Sequence, residues 1–399
     1  MTSAAGPPTT ESDVLTVVEN FLKTNAPRGL SEREFLGRRF DAGLAWIHFP
    51  IGSGGLGAPR SLQGLVESML SGAGAEPADN MRNPVGLGMG APTVVHHAPE
   101  DLRRRVLRPL WTAEEIWCQL FSEPGAGSDL ANVSTKAVRD GDDWIVNGQK
   151  VWTSLAHLSR WAMLLARTDP AQPKHQGLTY FILDMHTPGV EVKPLRQATG
   201  EADFNEVFLT DVRIPDAMRI SAVGDGWAVA RTTLMNERTA IGGKPAPREE
   251  GHVGRLTSLW RSRPDVRTPG SHIELMRIWV EVEVARLTNE RSRQLAAMRE
   301  PGLEGSGAKV TMARNNQQVT KLLARLSPQD ALRYDAWSMG SAPEHPRDRP
   351  ETFHYLRARP NSIEGGTTEI LLGQIADRVL NLPREPKIDL ALAWQDIPK

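Results

Sequence analysis

The sequence predicts a mainly α-helical protein with a central β domain. Residues 11 to about 117 indicate short helices that Gly and Pro interrupt. Residues 119 to about 215 carry the β-branched and aromatic runs typical of strands. From Trp227 onward, apolar residues return to helical spacing. We therefore expect a disordered tail over 1–10, an N-terminal helical domain over 11–118, a central β domain over 119–225 and a C-terminal helical bundle over 226–399.

The composition limits the classes of function. The chain has 399 residues, of which 40% are hydrophobic and 24% charged, and its net charge is −1. This balance argues against a general nucleic-acid binder and against a polybasic membrane protein. The first ten residues lack the pattern of a signal peptide, and no apolar stretch reaches the roughly 20 residues of a spanning helix. We therefore expect a cytoplasmic protein that binds neither nucleic acid nor membrane.

Cysteine and histidine usage argues against a metal site. Cys118 is the single cysteine, which excludes an intramolecular disulfide and a cysteine metal cluster. The histidines, including His96-His97, show no ligand spacing with acidic residues. The sequence therefore predicts a reduced protein without a bound metal.

In the N-terminal region, helices are expected at Leu62–Leu70 and at Asp101–Leu107, the second ended by Pro109. Gly52–Gly57 fits the G-x-G-x-x-G pattern of a dinucleotide-binding loop, and the strand-like run Leu44–Ile51 precedes it. A βαβ unit should then follow, but the next residues indicate broken helices. A glycine-rich turn is the favoured interpretation.

In the β region, Asn147-Gly148 separates the strand-like runs Trp144–Val146 and Lys150–Trp152. Asn-Gly in this setting predicts a β-hairpin. Leu178–Leu183 is a continuous apolar run that predicts a buried strand. Shorter strands are expected at Val190–Val192 and Val207–Leu209.

In the C-terminal region, Gly242–Thr268 is rich in Gly, Pro and Arg and is predicted to be a loop or linker. Ser271 and Glu274 form a candidate capping box for the next helix. A further helix is expected to start near Ser306. A last helix is expected to end before Pro383.

Five segments carry the functional argument. Phe121–Asp129 is a small-residue loop after a strand, and its glycines, hydroxyls and amides suit a polar ligand. The other segments are Asn147–Ser154, Phe204–Phe208 with Asp211–Pro215, Asn236–Arg238 and Gly365–Ile370. Together and in this order they resemble the acyl-CoA dehydrogenase family, from about residue 11 to Pro383. Within it, the chain is similar to the actinobacterial FadE-like branch that acts on bulky acyl-CoA esters, such as steroid side chains.

The resemblance implies an N-terminal helical domain, a middle β-barrel domain and a C-terminal helical bundle, with FAD between the last two. It implies a flavoprotein oxidoreductase of fatty acid or steroid degradation. Such an enzyme removes the α proton of an acyl-CoA thioester and transfers a hydride from the β carbon to flavin N5. Electrons then pass to an electron-transfer flavoprotein. A buried carboxylate suits the first step, because burial raises its pKa and makes it a stronger base.

The resemblance also assigns cofactor contacts by position. Gln119, Phe121 and Ser122 match positions that meet the isoalloxazine ring. Ser128 matches a position between flavin and acyl-CoA, which makes it a substrate-binding candidate as well. An aromatic residue such as Phe121 more commonly packs in a core, so these assignments depend on the motifs occurring together.

Four further residues complete the expected cofactor site. Trp152 matches the aromatic residue that lies along the flavin, and Ser154 matches the hydroxyl near N5. Thr367 and Glu369 match positions that contact the FAD nucleotide. Without the other motifs, Ser154 would be interpreted as part of a turn at a strand end.

The catalytic base departs from the commonest family pattern. Many members carry Glu directly before the final Gly-Thr, where this chain has Gly365 or Gly366. A second family pattern places the base in an earlier Glu-Arg pair, and Glu237-Arg238 matches it. We expect Glu237 to be the base and Arg238 to support it. Glu364 is the second candidate.

Other functions stay open on the same fold. The chain could be an acyl-CoA oxidase or a flavin monooxygenase, which the oxygen reactivity of the reduced enzyme would distinguish. It could also be a base-poor structural subunit of a heteromeric dehydrogenase. The resemblance implies a homodimer or homotetramer, or a heteromer with a homologous chain. The sequence does not identify the acyl chain.

Overall fold

A computed structural model describes residues 10–76, 80–242, 247–298, 304–333, 349–383 and 391–398. The N-terminal helices are α1 (Glu11–Thr24), α2 (Glu32–Asp41), α3 (Gln63–Gly72), α4 (Ala91–His97) and α5 (Glu100–Trp111). The strands are β1 (Trp117–Leu120), β2 (Lys136–Asp140), β3 (Asp143–Ser154), β4 (Trp161–Arg167), β5 (Leu178–Asp184), β6 (Val190–Leu195), β7 (Phe204–Pro215) and β8 (Arg219–Ile220). The C-terminal helices are α6 (Gly226–Gly242), α7 (Gly251–Ser262), α8 (Pro269–Met298), α9 (Glu304–Leu326), α10 (Pro328–Ala331), α11 (Glu351–Arg357) and α12 (Thr368–Arg378).

Helices therefore precede and follow a central sheet, which confirms the predicted fold class. Thr10, the last residue of the predicted tail, caps α1 by accepting a hydrogen bond from the Asp13 amide, and residues 1–9 lie outside the described part. The described residues form two compact units. The first contains 10–193, 205–236 and 391–398, and the second contains 194–204 and 237–383.

The eight strands of the described residues form one sheet in the order β6-β7-β3-β2-β4-β5-β8, with β1 paired to β4. Strand β4 lies between β1, which runs parallel to it, and β5, which runs antiparallel from Trp161↔Asp184 to Arg167↔Leu178. Every residue of β4 is buried. A strand that is covered on both faces is expected to be apolar throughout, as β4 and β5 nearly are.

The hairpin predicted at Asn147-Gly148 is wrong, because β3 runs through both residues. The hairpin in this region connects β2 to β3, with Asp140 paired to Asp143 and Gly141 at a φ of 63°. Gly148 is required for a different reason. A Cβ atom at this position would lie 2.4 Å from Thr135 Oγ1 on the neighbouring segment, so the glycine allows two backbones to approach.

Pro109 does not end the predicted charged helix, because α5 continues to Trp111. A proline near the end of a helix removes only one backbone hydrogen bond, and the buried side chains of Leu107, Leu110 and Trp111 hold the last turn against the core. The strand-like run Leu44–Ile51 is also not a strand.

Gly52–Gly57 forms the favoured glycine-rich turn, and Gly52, Gly54 and Gly57 have positive φ angles. A Cβ atom at Gly55 would meet the Phe49 carbonyl oxygen at 2.1 Å. The glycines thus serve a tight turn, and the dinucleotide-binding interpretation was correctly set aside.

The predicted loop Gly242–Thr268 contains helix α7, which buries Val253 and Leu256. The next helix, α8, begins one turn earlier than predicted. Thr268 and Ser271 cap it reciprocally, since each backbone amide donates to the other hydroxyl, at 2.9 and 3.1 Å. In the second unit, α7, α8 and α9 share an apolar core that includes Leu256, Ile278 and Leu322.

Among the described residues, the helices are too short or too polar to cross a bilayer. Within the same residues, no three His, Cys, Asp or Glu side chains are grouped so that they could hold a metal ion.

Candidate active site

The loop that follows β1 is attached to β3 by a buried ion pair. Lys150 is fully buried, and its Nζ donates to Glu123 Oε1 at 2.8 Å, to the Phe121 carbonyl at 3.0 Å and to the Leu165 carbonyl at 2.8 Å. Glu123 also accepts hydrogen bonds from the Ser134 amide and hydroxyl, at 2.7 and 2.9 Å. The pair therefore fixes the backbone of the loop against the sheet.

The ionised form of Glu123 is strongly stabilised in this pair. Burial alone would raise the pKa of Glu123, but the Lys150 charge and the hydrogen bonds outweigh burial and lower that pKa to about 2. The carboxylate is therefore ionised at neutral pH and holds Lys150 by charge as well as geometry. Neither residue has the raised basicity of a catalytic base. The sequence motifs contain both residues, but they gave no sign of this structural role.

The three residues expected at the flavin ring, together with Ser128, lie on β1 and on this anchored loop. Gln119 is half-buried on β1, and Ser122 is half-buried, with its carbonyl accepting from the Val151 amide at 2.9 Å. Ser128 is exposed at the end of the loop. Phe121 is buried, and its ring contacts the Tyr180 ring edge-on at 5.8 Å between centroids. The side chain of Phe121 packs in the core, so any contact with a ligand would come from its backbone.

The end of β3 presents an aromatic side chain and hydroxyls next to this loop. Trp152 is 61% exposed and has a φ of 61°, a strained conformation for a bulky residue. Ser154 is half-buried. Between them, the buried Thr153 Oγ1 has no hydrogen-bond partner within the described residues. Strain of this kind is concentrated at ligand sites, so the exposed indole suits a planar ligand better than a core.

Helix α6 is anchored by a chain of buried hydroxyl groups one turn before Glu237. Thr233 Oγ1 lies 3.0 Å from the Tyr180 hydroxyl on β5 and 3.0 Å from Thr93 Oγ1 on α4. All three side chains are fully buried in the first unit. The network therefore fixes the turn of α6 from which the Glu237 backbone continues.

We expect Thr233→Val to lower the free energy of unfolding by about 1–3 kcal/mol, because the buried hydroxyls of Tyr180 and Thr93 lose a partner. Thr288→Val is the matched control, since Thr288 is exposed and, among the described residues, its hydroxyl bonds only to the Val284 carbonyl of its own helix. That change should stay within about 0.5 kcal/mol. Equal losses in chemical unfolding of the two variants would contradict the proposed anchor.

Glu237 lies on α6 as the sequence predicted, and its side chain is half-buried in the second unit. Arg238 follows it on the same helix, but its side chain lies outside the described residues. Partial burial leaves the Glu237 carboxylate accessible on one side, as contact with a substrate requires.

Glu364 is committed to structural contacts. Its Oε1 accepts from Arg357 Nη1 at 2.9 Å and from Asn361 Nδ2 at 2.6 Å. Both partners lie within seven residues of Glu364, so they tie its carboxylate to the segment before α12. This geometry favours Glu237 over Glu364.

The turn before α12 contains the remaining predicted residues. Gly365 and Gly366 have φ angles of 65° and 94°. Thr367 caps α12, with its hydroxyl accepting from the Ile370 amide at 3.2 Å, and Glu369 is exposed in the first turn. Thr367 and Glu369 belong to the second unit, whereas the residues expected at the flavin ring belong to the first.

Sequence reasoning missed Lys309, which lies beside this turn. Its side chain is only 1% exposed, and its Nζ donates to the Gly366 carbonyl at 2.6 Å. Burial lowers the pKa of Lys309, and the charges of Glu364, Glu237 and Glu369 act in the opposite direction. No local pattern indicated this lysine, because Gly366 is distant in the sequence.

Comparison with known proteins identifies the class of this fold and site. Residues 118–212 match "Acyl-CoA dehydrogenase, middle domain", and residues 224–380 match "Acyl-CoA dehydrogenase, C-terminal domain". The chain belongs to the acyl-CoA dehydrogenase family, whose members are flavin-dependent oxidoreductases. The predictions of family and enzyme class are confirmed.

Mycobacterial proteins are among the relatives. Acyl-CoA dehydrogenase FadE34 of Mycobacterium tuberculosis is 40% identical over 348 residues, which are 86% of this chain and 45% of that protein. The chain thus spans less than half the length of this relative. Acyl-CoA dehydrogenase IpdE1 of the same organism is 37% identical, over 87% of this chain and 86% of that protein. These matches confirm the actinobacterial FadE-like placement.

Solved structures show the same fold. The ChsE4-ChsE5 complex from Mycobacterium tuberculosis matches with a TM-score of 0.68 at 24% identity, covering 96% of this chain and 100% of that chain. The Tcur3481-Tcur3483 steroid ACAD matches with a TM-score of 0.68 at 23% identity, covering 94% of this chain and 98% of that chain.

Proposed function

We propose that the chain catalyses the FAD-dependent α,β-dehydrogenation of an acyl-CoA thioester, with Glu237 as the base. The observation that carries this assignment is the placement of Glu237, which is half-buried on α6 one turn after the anchored Thr233. In this assignment, a Glu237 carboxylate oxygen takes the substrate α proton.

The residues at the end of β3 suit a flavin. The exposed indole of Trp152 offers a planar apolar face, and the half-buried Ser154 two residues later supplies a hydroxyl group. FAD bound there would accept the hydride from the substrate β carbon at N5. Gln119 and Ser122 would contact the ring, and Thr367 and Glu369 would contact the nucleotide of a bound FAD. Ser128 would face the acyl-CoA.

We assign an electron-transfer flavoprotein as the electron acceptor and a bulky acyl-CoA ester as the substrate. The substrate class is supported by one structural neighbour that is described as a steroid ACAD. We expect a homodimer or homotetramer, or a heteromer with a homologous chain. The heteromer is supported by the ChsE4-ChsE5 neighbour, which is a complex.

A second candidate function is a base-poor structural subunit of a heteromeric dehydrogenase. It is favoured by the glycine, Gly365 or Gly366, at the place where many family members carry the catalytic Glu. Both glycines have left-handed φ angles. In such a heteromer the homologous chain would supply the base.

The first test is an anaerobic visible spectrum of the purified chain before and after addition of acyl-CoA esters. We expect a yellow protein whose flavin absorbance bleaches with branched or steroid esters faster than with short linear ones. Bleaching that is faster with short esters would reject the substrate class. A yellow protein that bleaches only after a homologous chain is added would support the structural subunit. A colourless protein that FAD does not reconstitute, alone or with a homologous chain, would contradict both functions.

A further inference from the structure

The end of strand β3, which carries Trp152 and Ser154, has a strained backbone. Trp152 and Leu155 have φ angles of 61° and 59°, in the left-handed region that residues with a Cβ atom rarely adopt. Such a backbone persists only where surrounding contacts hold it. The contacts that hold residues 152–155 therefore belong to any site that is built on Trp152 and Ser154.

A buried asparagine on the neighbouring strand makes one of these contacts. Asn205 is the second residue of β7 and is fully buried, and its Nδ2 donates to the Thr153 carbonyl at 3.0 Å. A carbonyl oxygen only accepts, so this bond fixes which end of the Asn205 amide faces β3. The same Nδ2 lies 3.2 Å from His157 Nδ1, which accepts the second bond. Asn205 is thus bonded to the chain on both sides of the strained Leu155.

The place of Asn205 in β7 indicates that its amide has a hydrogen-bonding role. The next two residues on the same face of the strand are Val207 and Leu209, which are buried and apolar. A buried amide costs free energy unless it is hydrogen-bonded, so an apolar residue is the expected choice at such a position. Asn205 also lies in the motif Phe204–Phe208, to which the proposed function gives no role.

Other hydrogen bonds hold the chain before and after the strained turn. The Val151 amide donates to the loop that follows β1, at 2.9 Å. The Leu155 carbonyl accepts from the Ser159 hydroxyl at 2.8 Å. The bond between Asn205 and the Thr153 carbonyl lies between these two anchors. It therefore acts on the backbone that directly joins Trp152 to Ser154.

We propose that Asn205 is a positioning residue for the flavin, which holds the Thr153 backbone so that Trp152 and Ser154 are presented together to the ring. This inference rests on the proposed function, since it takes the end of β3 to be the flavin site. Asn205 acts through its contact with β3 and not by touching FAD. Loss of its donor should therefore weaken the hold on FAD, and part of that loss should depend on Ser154.

The experiment measures how fast the purified holoprotein releases FAD on dilution, and the reduction potential of the bound FAD. Asn205→Leu keeps the size of the side chain and removes the donor. We expect FAD release to become about five to ten times faster, as the loss of one hydrogen bond implies. The reduction potential should move towards that of free FAD, because the protein tunes the flavin through the groups around it.

Asn147→Leu is the matched control. Asn147 also connects β3 to β7, through a bond from its Nδ2 to Asp211 Oδ1 at 3.0 Å, but it is exposed and lies further along β3 from the strained turn. Its FAD release and its potential should match the wild type. An equal change in this variant would overturn the inference, because the effect would then follow from weaker pairing of the two strands.

A double-mutant cycle tests whether Asn205 acts through the end of β3. Asn205→Leu should accelerate FAD release less in a Ser154→Ala background than in the wild type, because the two residues serve the same contact. Effects of Asn205→Leu and Ser154→Ala that are fully additive would contradict this coupling and overturn the inference.

Wild-type FAD release and potential in Asn205→Leu would also overturn it, even if the variant unfolds more easily, since the role would then be structural. If Asn205→Leu does not fold, Asn205→Ser decides, because serine is too short to replace the bond to Thr153. Faster FAD release in Asn205→Ser supports the inference, and wild-type release or failure to fold overturns it. The proposed function fails separately if acyl-CoA esters do not reduce the wild-type flavin. A wild type that binds no FAD, alone or with a homologous chain, overturns both.

Discussion

Glu237→Gln is expected to retain bound FAD and to reduce that flavin with acyl-CoA about 10²–10⁴ times more slowly than the wild type. Glutamine has the shape of glutamate but cannot accept the α proton at neutral pH. Because the residues expected at the flavin ring lie on β1, β3 and the loop between β1 and β2, the substitution leaves them untouched. Anaerobic stopped-flow spectroscopy of the flavin absorbance measures the rate directly.

Glu364→Gln is the matched control for this substitution. Its Oε1 accepts hydrogen bonds from Arg357 and Asn361, and an amide oxygen can keep both. We expect flavin reduction in this variant to change far less than in Glu237→Gln. Full reduction in Glu237→Gln combined with its loss in Glu364→Gln would show that Glu364 is the base. Full reduction in both variants would show that neither is.

Lys150→Met is expected to lower the free energy of unfolding by about 3–5 kcal/mol, because it leaves the buried Glu123 carboxylate without its cation. Lys193→Met is the control. Lys193 is 53% exposed and pairs with Glu191 at 3.2 Å on the surface, and such pairs contribute about 0–1 kcal/mol. Chemical unfolding monitored by tryptophan fluorescence compares the variants, and similar losses for both would contradict the buried ion pair.

The loss of stability in Lys150→Met is expected to depend on pH. In the wild type, the pKa of Glu123 is lowered from 4.5 to about 2, so the stability due to its ionised form is complete above 4.5 and is lost as the pH falls towards 2. Without Lys150, burial raises the pKa of Glu123. Protonation then removes the uncompensated charge of the buried carboxylate, which makes the variant less unstable. We expect the stability difference to be largest at neutral pH and to shrink below about pH 5. A difference that does not vary with pH would contradict the charge assignment.

Sequence patterns predicted the elements that depend on neighbouring residues, but not those that depend on contacts distant in the sequence. The run Leu178–Leu183 became β5, because a continuous apolar run suits a strand covered on both faces. The hairpin predicted from Asn147-Gly148 was wrong, because Gly148 allows close approach to Thr135, which lies on the neighbouring segment just before β2. Helix α7 was missed because its flanking Gly and Pro residues concealed the buried pair Val253 and Leu256.

The residues of the candidate site also divide into those that local sequence predicted and those that it did not. The candidates Glu237, Trp152 and Thr367 came from motifs that are continuous in sequence. Lys150 and Lys309 did not, because their partners lie 27 and 57 residues away. A lysine in sequence is most often solvated, so only the fold shows that these two are buried. Long-range charge pairing is therefore the information that single-sequence reasoning lacks.

The left-handed backbone at Gly365 bears on the evolution of this chain. A glutamate at that position would have to adopt a φ of 65°, which disfavours any residue with a Cβ atom by roughly 1–2 kcal/mol. Gly365→Glu, which would match the commoner family pattern, would therefore carry a conformational cost. A glutamate at 365 would therefore also favour a change in the turn. If Glu237 is the base, as proposed, the loop geometry disfavours moving the base to position 365 by a single substitution.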